Sequence, residues 1–291
     1  AKRTKEIRRL IGGADLLCLS ATPCVESPSQ LYHSFFWLKG AKQKTFYAWH
    51  RQHGIPKEMF VIGRSVKDYS ECKPEVLADF GRLSVTMSQQ DAGIDVRVED
   101  VVHIVKPSAI TLAHIRSLTD SGIARLGGKQ VVAESDMSTR VLIHQAESGA
   151  VMVDDEYIET GCHAVLDYLW ARFDQETTAV MAHFRATQRM LREAGWTVFS
   201  SQAHAEGVDL SEYHSLVIVN AGYSGAKHTQ RRERLVNLNK HRDKTVVHHI
   251  TVESGLSPEV YKSVSKKLDF NLQSFRAWKR SERADVAKED H

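Results

Sequence analysis

The sequence predicts an α/β fold in which a parallel sheet is flanked by helices, and three observations lead to this prediction. From residue 160 onward, apolar runs alternate with amphipathic segments of about ten residues, which is typical of parallel βαβ units. The runs at 178–183 and 216–220 are short and almost uninterrupted by polar residues, as in buried strands. Gly195 follows one amphipathic segment and Pro258 opens another, where helices are expected to end and begin.

Taken in order, the elements of this region alternate between helix and strand. We predict a helix at 163–173, a strand at 178–183, a helix at 185–193, strands at 196–200 and 216–220, a helix at 227–238, a strand at 245–252 and a helix at 258–268. Strands separated by helices of this length usually run parallel, so this half of the chain should form one open sheet.

The first half of the chain differs in its pattern. Residues 1–38 are expected to form a helix, a buried strand at the apolar run Leu16–Leu19, a polar motif and a second helix. The next region is mainly of helical period, for example at 74–80 and 109–118, with an extended piece at 98–105. The predicted segments are 1–38, an insertion or linker at 39–159, the α/β part at 160–275 and a charged tail at 276–291 that should fray.

Composition and cysteine usage exclude several classes of protein. A hydrophobic share of 42% and a charged share of 26% are those of a folded globular chain, and the formal net charge of +3 is too small to indicate nucleic acid by itself. The four cysteines form no CxxC pair, and the His204-x-Glu206 pair lacks the cysteines of a deaminase zinc site. Without an apolar run near 18 residues or a secretory leader, we expect a cytoplasmic protein with no metal centre and no membrane contact.

A four-residue motif, Ser20-Ala21-Thr22-Pro23, follows the apolar run at 16–19. A strand that ends in Ser-Ala-Thr-Pro and leads into an amphipathic segment resembles motif III of superfamily 2 helicases. The resemblance implies that Ser20, Ala21, Thr22 and Pro23 couple a nucleotide site to bound nucleic acid.

A second informative run, SSQAHAEGVDL at 200–210, lies between two predicted strands and is similar to helicase motif V. Gly207 would let the backbone approach a nucleotide or nucleic acid, because it has no side chain to intervene. Asp209 can accept hydrogen bonds from a ribose hydroxyl or orient an arginine, and Glu206 lies in the same loop. The alternative is an ordinary strand-to-helix turn, in which glycine and aspartate are common.

A third run, QRRER at 230–234, resembles helicase motif VI, which reads Q-x-x-x-R-x-x-R. Gln230 and Arg234 match the first two fixed positions, while Asn237 replaces the last arginine. In the family, an arginine here stabilises charge on the transferred γ-phosphoryl group. Either Arg234 has this role, or Arg231 or Arg232 substitutes, or the site is weakened. The alternative is a solvated basic face of a helix.

The order of the motifs extends the resemblance to nearly the whole chain. Residues 142–149 (LIHQAESG) are similar to the L-R-Q-x-x-S-G segment before lobe two of Swi/Snf-type motors, and 182–186 (AHFRA) to motif IV, where Arg185 would contact nucleic acid. The simpler phage-encoded members match best. The resemblance implies a RecA-like helicase lobe two, preceded by a helical insertion and the tail end of lobe one.

The expected function follows from this resemblance and from what the sequence lacks. No G-x-x-x-x-G-K-[ST] loop is present, and the carboxylates at 154–156 are expected to form a solvated loop, not a magnesium motif. We therefore expect the C-terminal part of an ATP-dependent DNA helicase or translocase. It would bind ATP, DNA and a separate chain carrying the first lobe, which holds Mg²⁺. The alternative is a non-catalytic DNA-binding or interaction module. A dinucleotide enzyme is disfavoured because no glycine-rich loop follows the first strand.

Overall fold

The computed structural model describes residues 2–12, 14–19, 27–36, 45–61, 64–85, 87, 91, 93, 97–201, 208–232, 234 and 244–289. The chain divides into two compact units, Ala1–Ala92 and Gly93–His291. This division places the predicted extended piece at 98–105 in the second unit. The boundaries at 38 and 159 therefore remain predictions, whereas the compact units meet at 92 and 93.

The first unit is a small helical assembly with one hairpin. Its elements are α1 (Lys2–Ile11), a single 3-10 turn (Pro28–Leu31), α2 (Tyr32–Phe36), α3 (Phe46–His53), β1 (Lys57–Val61), β2 (Arg64–Asp68) and α4 (Pro74–Leu83). Strands β1 and β2 pair antiparallel. Trp49 is 3% exposed and packs with Leu31, Tyr32 and Phe36, so this tryptophan is a core residue and cannot stack on a ligand.

The apolar run at 16–19 does not form the predicted buried strand. Leu17 is 82% exposed and Leu19 is 87% exposed, and no described strand pairs with this run. A strand needs neighbouring strands to satisfy its backbone groups, so an apolar run alone does not produce one. The prediction for these residues is wrong for that reason.

The second unit contains the sheet and the helices packed on it. Its elements are β3 (Arg97–Val105), α5 (Ala109–Ser121), β4 (Ile123–Leu126), β5 (Lys129–Val132), α6 (Asp136–Ala146), β6 (Ala150–Val153), β7 (Glu156–Glu159), α7 (Ala164–Arg172), β8 (Thr178–Ala182), α8 (Arg185–Glu193), β9 (Val198–Ser200), β10 (Ser215–Val219), α9 (Gly225–Arg232), β11 (Lys244–Val252), α10 (Ser257–Val264) and α11 (Leu272–Glu289).

Five strands form one parallel sheet in the order β3-β11-β10-β8-β9. Val217 of β10 lies opposite Val180 of β8 on one side and His248 of β11 on the other. The sheet and its flanking helices confirm the predicted α/β class and are consistent with a RecA-like lobe. The predicted helix at 227–238 is seen as far as Arg232, and its remainder lies largely outside the described residues.

Both faces of this sheet are covered, which explains the uninterrupted apolar strands. Val180 and Val217 face a core that includes Leu169 of α7 and Leu191 of α8. Met181 faces the opposite side, in a second cluster. Successive side chains of a strand point to opposite faces, so a strand buried on both faces must be apolar throughout.

The segment between β3 and β8 forms three helices and two hairpins. Ser135 caps α6 by accepting a hydrogen bond from the backbone N–H of Ser138. The β6–β7 hairpin turns at Asp154 and Asp155, whose φ angles are +46° and +61°, as in a two-residue turn between antiparallel strands. Both carboxylates are exposed, which confirms the predicted solvated loop.

The charged tail is helical where it was expected to fray. Phe275 and Trp278, three residues apart on α11, are buried in the core that also contains Leu142 and Val260. Arg276 Nε donates to Asp136 Oδ2 at 2.6 Å. Two buried aromatic side chains on one face of the helix fix its first turns, and this apolar spacing outweighs the surrounding charge.

Candidate functional site at the carboxyl ends of the sheet

The topology of the sheet creates a crevice at the carboxyl ends of its central strands. From β8 the chain passes to β9 on one side and then returns to β10 on the other side of β8. In open α/β sheets, ligands bind at such a switch point, outside the carboxyl ends of the strands. His183, Ser201 and Gly222 follow β8, β9 and β10 at this edge.

Two hydrogen bonds join the segments that resemble motifs V and VI. Arg231 Nε donates to the carbonyl of Ser201 at 2.8 Å. The backbone N–H of Leu210 donates to the carbonyl of Arg234 at 3.2 Å. The first bond joins segments 30 residues apart in sequence at the carboxyl end of β9, whereas Leu210 in the second bond precedes the start of β10.

The guanidinium of Arg231 is buried inside the second unit. The residue is 1% exposed, and Nη1 has no hydrogen-bond partner among the described residues. Burial lowers the pKa of Arg231 to about 10. A guanidinium enclosed in this way cannot reach across a cleft to a phosphate. The structure therefore opposes the prediction that Arg231 substitutes for the missing arginine.

Gly222 is required by this buried arginine. A Cβ added at Gly222 would lie 2.9 Å from Arg231 Nη1 and 2.9 Å from His183 Nδ1. Arg231 is buried and His183 is half-buried, so an added Cβ would force at least one of these side chains to shift. The pKa of His183 is lowered to about 4, chiefly by burial and also by the positive charge of Arg231.

Arg232 is held by the sheet. Its Nε donates to Asp100 Oδ1 at 2.8 Å and its Nη2 lies 2.6 Å from Asp100 Oδ2, a two-pronged contact. His249 Nε2 also lies 2.8 Å from Asp100 Oδ1. Burial opposes ionisation of Asp100, but the hydrogen bonds of His249 and Arg232 hold its pKa below the usual value. Arg232 therefore fixes α9 on β3.

The remaining residues of the predicted nucleotide site are less enclosed. Arg234 is half-buried, and its Nε has no partner among the described residues. Gln230 lies on α9 and is half-buried. Asp209 is exposed and its Oδ1 accepts from the backbone N–H of Ser211 at 2.9 Å, as in a local turn. Such a bond is expected if the segment resembling motif V is an ordinary turn, which is the alternative interpretation of that segment.

Several predicted residues lie outside the described part of the chain. They are Ser20, Ala21, Thr22, Pro23, Glu206, Gly207 and Asn237. Their assigned roles stay predictions that derive from the resemblance alone.

Arg185 is the first residue of α8 and its side chain is 77% exposed. Its Nη1 lies 3.3 Å from Asp155 Oδ1, and the Asp155 side chain is 88% exposed. An ion pair in solvent contributes little, so this guanidinium can exchange its partner for a phosphate. The placement suits the predicted contact with nucleic acid.

No sequence motif assigned a role to a buried cluster that supports the loop after β10. Asn220 Nδ2 donates to the carbonyl of His144 at 2.7 Å, and His144 Nδ1 lies 3.3 Å from the hydroxyl of Tyr223. The Arg140 guanidinium lies 4.1 Å from the centre of the Tyr223 ring, in cation–π contact. The likeness of 142–149 to a family segment was the only signal of this cluster.

Glu147 connects the same segment to α10. Its carboxylate accepts from the backbone N–H of Leu256 at 2.6 Å and of Ser257 at 3.1 Å. It thus caps the start of α10 from a distant part of the chain. Burial raises the pKa of Glu147 to about 7, against the opposing effect of these hydrogen bonds.

The described residues contain no cluster of three or more histidine, cysteine, aspartate or glutamate side chains arranged to bind a metal ion. Within the same described part of the chain, no helix has the length and apolar character needed to cross a bilayer.

Among the comparisons with known proteins, the one with solved structures found similarity. No protein-family model matches the chain, and no curated protein matches it. Among solved structures, the chain is similar to one described as "Crystal structure of the C-terminal part of Fun30 ATPase domain". The TM-score is 0.43 and the sequence identity 7%, over 66% of this chain and 99% of that chain. The α/β class of this chain follows from its own five parallel strands.

Proposed function

We propose that this chain supplies the C-terminal lobe of a superfamily 2, Swi/Snf-type DNA helicase or translocase. The observation that carries the proposal is the pair of hydrogen bonds from Arg231 to Ser201 and from Leu210 to Arg234. They join the segments resembling motifs V and VI, and the first of the two bonds lies at the carboxyl end of β9 in a parallel sheet. A nucleotide cleft between two lobes requires that arrangement from its second lobe.

Within this proposal, Arg234 is the arginine that faces the γ-phosphate. Arg231 is buried against Ser201, and Arg232 is bound by Asp100, so both are already engaged within the unit. Arg234 is the arginine of the run that has neither contact. ATP would lie against Arg234 and Gln230, and a separate chain carrying the first lobe would hold Mg²⁺ and the remaining phosphates.

The test is ATP hydrolysis after mixing this chain with a chain that carries a phosphate-binding first lobe, with and without DNA. We expect hydrolysis above the sum of the separate chains, and a loss of about 10³-fold in that gain for Arg234→Ala. Lys262→Ala, on the exposed face of α10, is the matched control and should hydrolyse ATP as the parent does. No gain on mixing contradicts the proposal.

The second candidate is a non-catalytic DNA-binding module, and the burial of Arg231 favours it. An arginine committed to the interior leaves the motif VI segment with fewer groups for phosphate. This candidate predicts DNA binding without ATP that weakens steeply as salt increases. Anisotropy titrations with duplex and single-stranded DNA at several salt concentrations measure this, together with the absence of hydrolysis in every mixture.

A further inference from the structure

A small pocket beside the start of α8 has a polar lining that, apart from Arg185, the proposed motor does not use. Its volume is about 230 Å³, and it lies at the carboxyl ends of β8 and β9 in the second unit. It is lined by Gln145, Met152, His183, Phe184, Arg185, Gln188 and Ser200. Pockets for drug-sized ligands occupy about 300–1,000 Å³, so this one suits a single small ring system.

Two glutamines of this lining have amide groups whose orientation is fixed by the backbone. Gln145 Oε1 accepts from the N–H of Met152 at 2.8 Å, and Gln188 Nε2 donates to the carbonyl of Ala182 at 3.1 Å. A backbone N–H can only donate and a carbonyl can only accept, so each bond decides which end of the amide is oxygen. The ends left for a ligand are the amino group of Gln145 and the carbonyl oxygen of Gln188.

A fixed donor and a fixed acceptor in one pocket match the edge of a nucleobase. Gln145 is 5% exposed and Gln188 is 7% exposed, so both amides are preorganised by burial. Base edges present acceptors and donors side by side, and glutamine is a common partner for them. Met152 and Phe184 add apolar surface against which a ring can pack.

A peptide group has the same hydrogen-bonding capacity as the edge of a base. The residues around the pocket nevertheless favour a nucleotide as the ligand, because a nucleotide carries a phosphate. Arg185 lies at the rim with an exposed guanidinium, and it begins α8. The positive end of a helix and an arginine together attract a phosphate. A neutral peptide gains nothing from either.

We propose that this pocket binds one unstacked nucleobase of a single-stranded nucleic acid. Gln145 and Gln188 bind the edge of the base, and Arg185 holds the adjacent phosphate. The inference rests on the proposed function only in taking nucleic acid as the ligand. Contacts to phosphate alone would leave binding independent of the base, whereas this pocket makes binding depend on it.

The test compares two single-stranded oligomers of about eight nucleotides, one with normal bases and one with the same sugar–phosphate backbone but no bases. Anisotropy titration of the full chain should give about tenfold tighter binding of the oligomer with bases. Gln145→Glu keeps the oxygen that accepts from Met152 but replaces the free donor by an acceptor, and should abolish that preference. Gln130→Glu, on an exposed strand, adds the same charge elsewhere in the unit and should preserve it.

Arg185→Ala separates the phosphate contact from the base contact. It should weaken binding of both oligomers equally. The slope of the logarithm of the dissociation constant against the logarithm of the salt concentration should decrease by about the amount expected for one phosphate contact. Gln188→Met, checked for folding by thermal unfolding, is a second variant that should remove the preference for bases.

Equal binding of the two oligomers by the parent chain overturns the inference, as does failure to bind either. A second measurement follows the side-chain NH₂ signals of Gln145 by NMR as nucleoside monophosphates are added. We expect these signals to shift; a shift with a blocked dipeptide amide but not with nucleotides assigns the pocket to a peptide and also overturns the inference. Base preference without restored ATP hydrolysis contradicts only the proposed motor, so the two failures are distinguishable.

Discussion

Replacing Arg231 by methionine should leave the free energy of unfolding of the second unit nearly unchanged. It should, however, increase the mobility of the loop after β9. Burial lowers the pKa of Arg231 from 12.5 to about 10, which corresponds to about 3 kcal/mol of unfavourable charge burial. The charged hydrogen bond to the carbonyl of Ser201 returns about 2 kcal/mol. Methionine is apolar, flexible and able to fill irregular space, so the free energy of unfolding should change by less than about 1 kcal/mol.

The loop after β9 should nevertheless lose its anchor. We expect amide hydrogen exchange at 198–201 and 208–210 to accelerate in Arg231→Met, while urea unfolding is nearly unchanged. Arg189→Met removes an exposed arginine that pairs with Glu193 on α8, and it should alter neither measurement. A loss of more than about 3 kcal/mol refutes the reasoning, because the guanidinium must then have a partner that stabilises its charge.

Three further predictions concern the packing around this site. Gly222→Ala should lower the free energy of unfolding by about 1–3 kcal/mol in urea titrations, because its Cβ would lie 2.9 Å from the buried Arg231 side chain and 2.9 Å from His183. Burial raises the pKa of Glu147 from 4.5 to about 7, so the folded state keeps a proton that the unfolded chain releases. Stability should therefore fall by about 3 kcal/mol as pH rises through that window, and Glu147→Gln should flatten the profile measured by urea unfolding at each pH. Trp278→Ala should cost about 3–5 kcal/mol in the same assay, because this side chain of α11 is buried in the core of the second unit; a change below about 1 kcal/mol would show that α11 does not pack there.

The elements predicted correctly are those whose signal is local. Strand β8 is buried at all five residues, and its uninterrupted apolar run made it recognisable. Helix α8 ends before Gly195, whose φ of +90° suits glycine, as its position in the sequence indicated. In contrast, Leu16–Leu19 has the composition of a strand but no described partner strand, and pairing is a property of the whole sheet.

The sequence indicated which segments form the candidate site, but it did not indicate which residues their side chains contact. The sequence singled out Arg234 at a fixed motif position, with Arg231 and Arg232 as alternatives, and the different environments of the three depend on residues far away in the chain. Asp100 lies 132 residues before Arg232, and Ser201 lies 30 residues before Arg231. Local patterns cannot reveal such partners, because only the order of strands in the sheet brings them together.

The cluster around Tyr223 was missed for the same reason. His144 precedes Tyr223 by 79 residues, and both side chains are enclosed by the packing of α6 against the loop after β10. A histidine in a buried helical segment is usually a satisfied core residue, so its position in the chain carries little information. The family-like segment at 142–149 marked the region without indicating its contacts.

The most direct test of the proposed nucleotide cleft is photo-crosslinking from the γ-phosphate end of an ATP analogue. The analogue would be added to this chain together with a chain carrying the first lobe, and labelled peptides identified by mass spectrometry. The cleft described above predicts a label on the peptide that contains Arg234, abolished by excess ATP and reduced by Arg234→Ala. A label confined to the first unit, or none on this chain while the first lobe is labelled, would contradict it.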